Sequence, residues 1–240
     1  MSIASKMTLC IDTSGAATMA LLESRASDAD AGSLGYRVVA RAREDNVRRH
    51  AESLGAMLLE VSGDAPHQAG IERICVGTGP GPFTGLRAGL AFASALGKAL
   101  GVPVLGVPSQ HALARAALDR TASDGDVRVL VTSDAKRGEV YWGVYEGDGE
   151  DVRALAGPNV GPLLEAEAAA AELGAIHVPV EVDAAFLARL ADSRATGPAN
   201  NTDGVGARDV GAEGEDETTF SLSPLYLRRP DVHVKTPAPK

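Results

Sequence analysis

Short apolar runs open the chain. Met7–Ile11 ends at Asp12-Thr-Ser14, and Thr18–Leu22 and Tyr36–Ala40 follow, each of strand length and bounded by turn-forming residues. Val47, Ala51, Leu54, Leu58 and Val61 are then spaced 4, 3, 4 and 3 apart, which predicts an amphipathic helix. A strand at Arg73–Val76, a helix over Gly85–Leu100, a strand near Val104 and a helix over Ser109–Asp119 complete this half. Much of the order then recurs. Strands at Val127–Thr132, Glu139–Tyr145 and Asp151–Ala156 precede a helix at Leu163–Glu172, a strand at Ile176–Val180 and a helix at Ala184–Ala191. The repeat is one of pattern rather than of sequence, and it predicts a duplicated α/β fold with two mixed-sheet halves, 1–108 and 109–229, followed by a tail at 230–240. Gly197–Thr219 carries few large apolar residues and predicts a mobile acidic loop, with order returning at Phe220–Arg229.

The run from Gly77 through Gly97 resembles a phosphate loop feeding a helix, but it lacks the groups such a loop needs. Leu86 and Arg87 follow Gly85 where a Walker loop has Lys-Ser/Thr. Pro80 and Pro82 have no backbone N–H to offer an anion. In the helix itself Gly85, Gly89, Ala93 and Gly97 form a ridge of small residues, and its apolar arc exceeds what one sheet face requires. Two readings follow: the helix is sandwiched inside one core, or one flank meets a partner chain.

Composition narrows the function. Hydrophobic residues make up 45% of 240 positions, enough for a sizeable core, while a formal charge of -9 argues against direct strong binding of nucleic acid. Met1–Met7 has no apolar signal segment and no stretch is long enough to span a bilayer, so a cytoplasmic protein is expected. Cys10 and Cys75 each sit in an apolar strand, without the Cys-x-x-Cys spacing of a metal or redox site, and are expected to be buried and reduced.

Several motifs stand in a recognisable order: Ile11-Asp-Thr-Ser14, Arg49-His-Ala-Glu52, Gly79-Pro-Gly-Pro-Phe-Thr-Gly-Leu-Arg87, Gly106-Val-Pro-Ser109, Asp134-Ala-Lys-Arg-Gly-Glu-Val-Tyr141 and Leu225-Tyr-Leu-Arg228. Together they resemble the TsaB (YeaZ) family of bacterial proteins, with Pro82 and the long 197–219 loop as departures. The resemblance implies the actin/Hsp70/sugar-kinase (ASKHA) fold of two RNase H-like halves. It also implies a non-catalytic role in making threonylcarbamoyladenosine in tRNA. The implied partners are TsaD, a related metal-dependent subunit that carries the transferase site, and TsaE, an ATPase. ATP or ADP and metal are then expected on those partners, with no cofactor on this chain. Contact with tRNA would come through the complex, and a homodimer would be a fallback when the partner is absent. The alternative is a small-molecule kinase or ATPase of the same fold.

Candidate sites follow from these residues. The catalytic relative holds metal with a His-x-x-x-His pair, and setting Gly106-Val107 against that segment puts Ser109 and Leu113 at the ligand positions, neither of them a suitable ligand. No metal site and no catalytic residue is therefore expected, and the metallopeptidase reading finds no ligands. Asp12, Thr13 and Ser14 stand where the first phosphate hairpin of this fold would be, with Lys136 and Arg137 in the opposing one. These positions read either as a vestigial nucleotide site or as solvated and self-bonded turns. The expected partner interface comprises Val47, His50, Ala51, Leu54 and Leu58 of the first helix and Leu86, Gly89, Leu90, Ala93 and Gly97 of the second, laid as a helix pair against the same pair on the partner.

Overall fold

The structure, a computed structural model, describes residues 6–24, 35–63, 65–121, 127–148, 151–196 and 222–228. The loop expected at 197–219 and the tail at 230–240 lie outside the described residues.

The first half builds β1 (Met7–Asp12), β2 (Ala17–Ser24), β3 (Tyr36–Glu44), α1 (His50–Ser62), β4 (Ile71–Gly77), α2 (Phe83–Leu100) and β5 (Val104–Val107). Its sheet has the order β3-β2-β1-β4-β5. β2 lies antiparallel to both β1 and β3, while β4 lies parallel to both β1 and β5. A short turn folds β2 back on β1, and the helical crossovers allow parallel pairing, which needs a connection of a dozen or more residues. The second half repeats the scheme. After α3 (Ser109–Arg120) come β6 (Arg128–Lys136), β7 (Glu139–Asp148), β8 (Asp151–Pro162), α4 (Leu163–Glu172), β9 (Ile176–His177) and α5 (Ala185–Thr196). Its sheet order is β8-β7-β6-β9, again with the first strand inside and a parallel neighbour beyond it. The expected duplicated RNase H-like α/β fold is what the chain adopts.

Burial explains the sequence patterns. β1 is buried along nearly its whole length because helices cover both faces of its sheet: α1 and α2 pack Leu54, Leu58, Leu90 and Ala93 onto Leu9, Ile11, Ile74 and Val76. The opposite face meets α5, whose Leu187, Ala188, Leu190 and Ala191 lie on Cys10, Ala20, Leu22 and Cys75. The last helix of the second half thus closes the core of the first. Arg73 on β4 holds it there, donating to Asp192 Oδ1 at 2.6 Å and to Thr8 Oγ1 at 3.0 Å. In turn α3 covers one face of the second sheet with Leu113, Ala114 and Leu118, and α4 covers the other with Ala166 and Ala170. β3, an edge strand, turns Arg37, Val39, Arg41 and Arg43 to solvent, charges that discourage edge pairing.

Several boundaries differ from expectation: β3, β6, β7 and α5 run past their expected ends to Glu44, Lys136, Asp148 and Thr196. β9 pairs only at Ile176 and His177, since Pro179 has no N–H for a continued ladder. β8 runs on to Pro162, past the expected end at Ala156, through register shifts against β7.

The small-residue ridge of α2 faces inward. A Cβ on Gly89 would stand 2.3 Å from Thr13 Oγ1, one on Gly85 2.7 Å from the Thr13 carbonyl oxygen, and one on Gly97 2.3 Å from Val104 Cγ2. The ridge lets α2 sit directly on the end of β1 and on β5. It ends at Gly101, whose φ of 69° supplies the left-handed cap that returns its N–H to the Gly97 carbonyl. The flank expected to be open in the free chain is therefore core, and that expectation is corrected. Gly89→Leu is expected to clash with Thr13 and cost about 1–3 kcal/mol or more from overpacking. Leu54→Arg, at a position 1% exposed, buries an unpaired charge at a cost of several kcal/mol. Both should lower the melting midpoint by more than about 5 °C or abolish cooperative melting, read by circular dichroism.

Candidate functional site

The turn after β1 is held by its own residues. Asp12 Oδ1 accepts from the Ser14 amide at 2.7 Å and from the Ser14 hydroxyl at 2.6 Å. Thr13 Oγ1 donates to the Gly85 carbonyl at 2.8 Å. Asp12 Oδ2 faces Gly77 and Ser109: a Cβ on Gly77 would lie 1.9 Å from that oxygen and 2.7 Å from Ser109 Oγ. Only glycine leaves room for the carboxylate there. Burial raises the Asp12 pKa above the usual carboxylate range, while the Ser109 and Ser14 hydroxyls pull it back.

The loop between β4 and α2 covers this turn. Gly79 and Ser109 exchange bonds, the Ser109 amide donating to the Gly79 carbonyl at 2.8 Å and the Gly79 amide donating to Ser109 Oγ at 3.1 Å. A Cβ on Gly81 would come within 2.7 Å of Ser14 Cα, so this loop presses directly on the turn. Asp12, Thr13 and Ser14 are 0%, 1% and 2% exposed, shielded from solvent by this loop. The opposing turn carries its charges outward. Lys136 and Arg137 are exposed with φ of 64° and 60°, and Lys136 pairs with Asp134, whose carboxyl its ammonium holds below the usual range. The two turns therefore present no shared cradle of accessible backbone N–H groups.

The other expected positions also find places. Ser109, 1% exposed, is bound into the loop, and Leu113 packs in the core beneath α3. Among the described residues no group of three or more His, Cys, Asp or Glu is placed to hold a metal ion. Cys10 and Cys75 face each other across β1 and β4, and burial raises the Cys10 thiol pKa well above its ordinary value. Of the interface positions, Ala51 is exposed, while His50, Leu54, Leu58, Leu86, Gly89, Leu90, Ala93 and Gly97 are buried within the chain. The Val47 side chain lies outside the described residues.

The helix pair has an outward surface made of other residues. On α1 it consists of Ala51, Gly55, Ala56 and Leu59, the last 48% exposed, flanked by Glu52 and Glu60. On α2 it consists of Ala91, Ala95 and Ala99 with half-buried Ala88 and Phe92, flanked by Arg87, Ser94 and Lys98. Small side chains at these positions let another helix pair approach closely.

The class is thus a two-half α/β protein whose phosphate-hairpin position is filled by its own loop and whose paired helices expose an alanine-rich face. The family model for TsaD, tRNA N6-adenosine threonylcarbamoyltransferase, matches residues 43–181, more than half of the chain. A protein of Mycobacterium tuberculosis that is itself uncharacterized is 38% identical over 191 residues, 78% of each chain. The Escherichia coli tRNA threonylcarbamoyladenosine biosynthesis protein TsaB is 35% identical over 96 residues, 38% of this chain and 40% of that protein. The structure of YeaZ from Pseudomonas aeruginosa superposes with a TM-score of 0.58 at 27% identity, covering 79% of this chain and 92% of YeaZ. The chain belongs to the TsaD-type threonylcarbamoyltransferase family and, within it, to the TsaB (YeaZ) proteins.

His50 supplies a test of the packing around this region. It opens α1, is 3% exposed, and neither ring nitrogen has a hydrogen-bond partner. Burial lowers its pKa, against a smaller opposing pull from Glu44. In the unfolded chain the imidazole titrates near its ordinary value of about 6.5, so below that pH the unfolded state holds more protons than the folded one. This contribution to stability is complete above about pH 6.5 and is lost as the pH falls towards the depressed folded pKa. Denaturant melts of the native chain and of His50→Gln between pH 7 and pH 5 should show a steeper loss for the native chain. Equal slopes would show that His50 titrates as freely as in water.

Proposed function

We propose that this chain serves tRNA threonylcarbamoyladenosine biosynthesis as a non-catalytic assembly subunit, docking a TsaD-like catalytic subunit through the outward faces of α1 and α2. The observation that carries the reading is the pairing of two features on one side of the first half. The turn that would hold a phosphate is sealed by residues 78–82, and the helices beside it leave an apolar, small-residue face uncovered. The TsaD family model extends over α1 and α2, so a partner of that family carries an equivalent helix pair. Two such pairs laid face to face make a quasi-symmetric four-helix contact, with Leu59, Ala91 and Ala95 near its centre. The alanines allow close backbone approach, and the flanking Glu52, Glu60, Arg87 and Lys98 supply a polar rim.

The remaining assignments follow from this reading. ATP or ADP and metal belong to the partner subunits, a TsaE-like ATPase joins the complex, and tRNA is met through the assembly, in keeping with the acidic charge of -9. In isolation the same face supports a homodimer. Among the described residues no helix is long and apolar enough to cross a membrane, and the tRNA substrate belongs in the cytoplasm.

Leu59→Arg and Ala91→Arg test the docking face, since both positions are exposed and both variants should melt like the native chain. In a pull-down with the catalytic relative each should weaken binding at least tenfold, about 1.4 kcal/mol, because assembly would bury an unpaired charge. Native retention of the partner by both would place docking elsewhere. Calorimetry of the isolated chain with Mg-ATP should show no saturable heat; tight stoichiometric binding would put the small-molecule kinase or ATPase reading first.

A further inference from the structure

The motif Leu225-Tyr-Leu-Arg228 has no place in the docking surface or in the turn after β1, yet it touches both halves of the molecule. At its start Leu222 packs against the core beneath α1 and α2, and the Leu225 amide donates to the Thr78 carbonyl at 2.8 Å. The Leu225 carbonyl oxygen lies over Gly79, where a Cβ would come within 3.3 Å of it. Tyr226 then completes a closed triangle on the surface of α2. Its ring lies 4.7 Å from that of Phe83, the Arg87 guanidinium sits 3.8 Å above the same Phe83 ring, and Arg87 Nε donates to the Tyr226 hydroxyl at 3.1 Å. Two residues later the chain is fastened to the other half: Arg228 Nη1 donates to the Ala135 carbonyl at 3.1 Å, and the same guanidinium pairs with Glu139. Two residues of extended chain cover roughly 7 Å, so a short strap joins α2 to the β6–β7 turn.

We propose that residues 222–228 form a strap that locks the two halves together and carries a disturbance at the outer surface of α2 to the β6–β7 turn. Three features make it a transmitter rather than a passive covering. Tyr226 and Arg228 are each fixed by aromatic or charged contacts, so the segment has little slack between them. Its middle bonds the loop over Asp12–Ser14, so lifting the strap also loosens the cover of that turn. Its first anchor, Arg87, lies on the rim of the face assigned above to the partner, so a docked subunit would touch the residue that holds Tyr226. That last step rests on the docking reading, whereas the strap contacts themselves do not. The coupling element is therefore physical and contiguous: guanidinium, phenol ring, two residues of backbone, guanidinium, hairpin carboxylate.

Hydrogen–deuterium exchange on the full chain tests this without any partner, so its outcome is separate from that of the pull-down. Arg87→Ala, at an exposed position, should speed exchange at least tenfold in peptides covering 222–228, 78–82 and 134–139, and leave α4 and β8 unchanged. Arg228→Ala should speed exchange in 222–228 and 134–139. Tyr226→Phe keeps the ring and removes the hydroxyl that accepts from Arg87, and it should shift the same peptides in the same direction by less. Native exchange at 134–139 in Arg87→Ala would overturn the proposal. So would an Arg87→Ala effect at 134–139 that Tyr226→Phe does not share, since the signal would then bypass the strap.

Discussion

Everything in the first half depends on how closely α2 approaches the end of β1. Thr13 projects into the space left by Gly85 and Gly89, and its hydroxyl closes on the Gly85 carbonyl at 2.8 Å. A methyl group at either glycine would push the helix off the strand, because interiors packed to crystal density cannot absorb a contact of 2.3 or 2.7 Å. This contact sets the position of the loop at 78–82, which reaches Ser14 only because α2 starts where it does. It also tilts α1 and α2 so that their alanine faces, not their leucine faces, point outward. The same fit therefore seals one surface and presents another.

The sealed turn bears on mechanism through its charge. Asp12 is fully buried, with one oxygen saturated by Ser14 and the other confined beside Gly77 and Ser109. Burying a carboxylate costs free energy that these hydroxyls offset only in part, which is why its pKa rises. A phosphate-binding turn needs the opposite arrangement, free backbone N–H groups facing a solvent-filled cleft. Here the N–H of Ser14 is taken by Asp12 and the loop lies over both. The second turn shows how the halves have diverged: Lys136 and Arg137 are exposed, Lys136 pairs with Asp134, and Ala135 and Glu139 anchor Arg228.

The architecture was legible in the sequence to the extent that each element carries its own periodicity. β1 and β4 showed themselves by short apolar runs, Leu9-Cys-Ile11 and Ile74-Cys-Val76, and α4 has the bounds its pattern predicts, Leu163 and Glu172. The repeated order of three strands, helix and strand sufficed for the duplicated fold. What periodicity cannot convey is which sheet a helix will cover. Nothing in Leu187, Ala188 and Leu190 tells that α5 lies across Cys10 and Cys75 of the other half. The burial of the residues expected at the interface has the same origin. A wheel shows that α2 is apolar on two sides, but which side meets Thr13 is decided by three-dimensional contact, and Leu54 and Leu58 proved to belong to the core. The sealing loop could have been anticipated in part from Pro80 and Pro82, which remove donors just where an anion would need them.

α5 gives the two-half design its rigidity, and this limits how such a molecule can respond to a partner. Its Arg189 meets Asp119 of α3, which also pairs with Arg115, so a charged cluster ties the helix closing the first core to the helix covering the second sheet. In an open cleft the halves would hinge around this contact. Residues 222–228 add to the α5 packing and to the Arg73–Asp192, Arg41–Asp183 and Arg43–Glu181 pairs between the halves, so a hinge needs several contacts released. The α3–α5 link is half-buried and lies amid core residues, whereas the Tyr226–Phe83–Arg87 triangle stands at the surface of α2. Exposed polar and stacking contacts are worth about 1 kcal/mol or less each, well below the cost of opening a core. Any motion between the halves should therefore begin at such surface contacts, the strap among them, rather than in the core beneath α5.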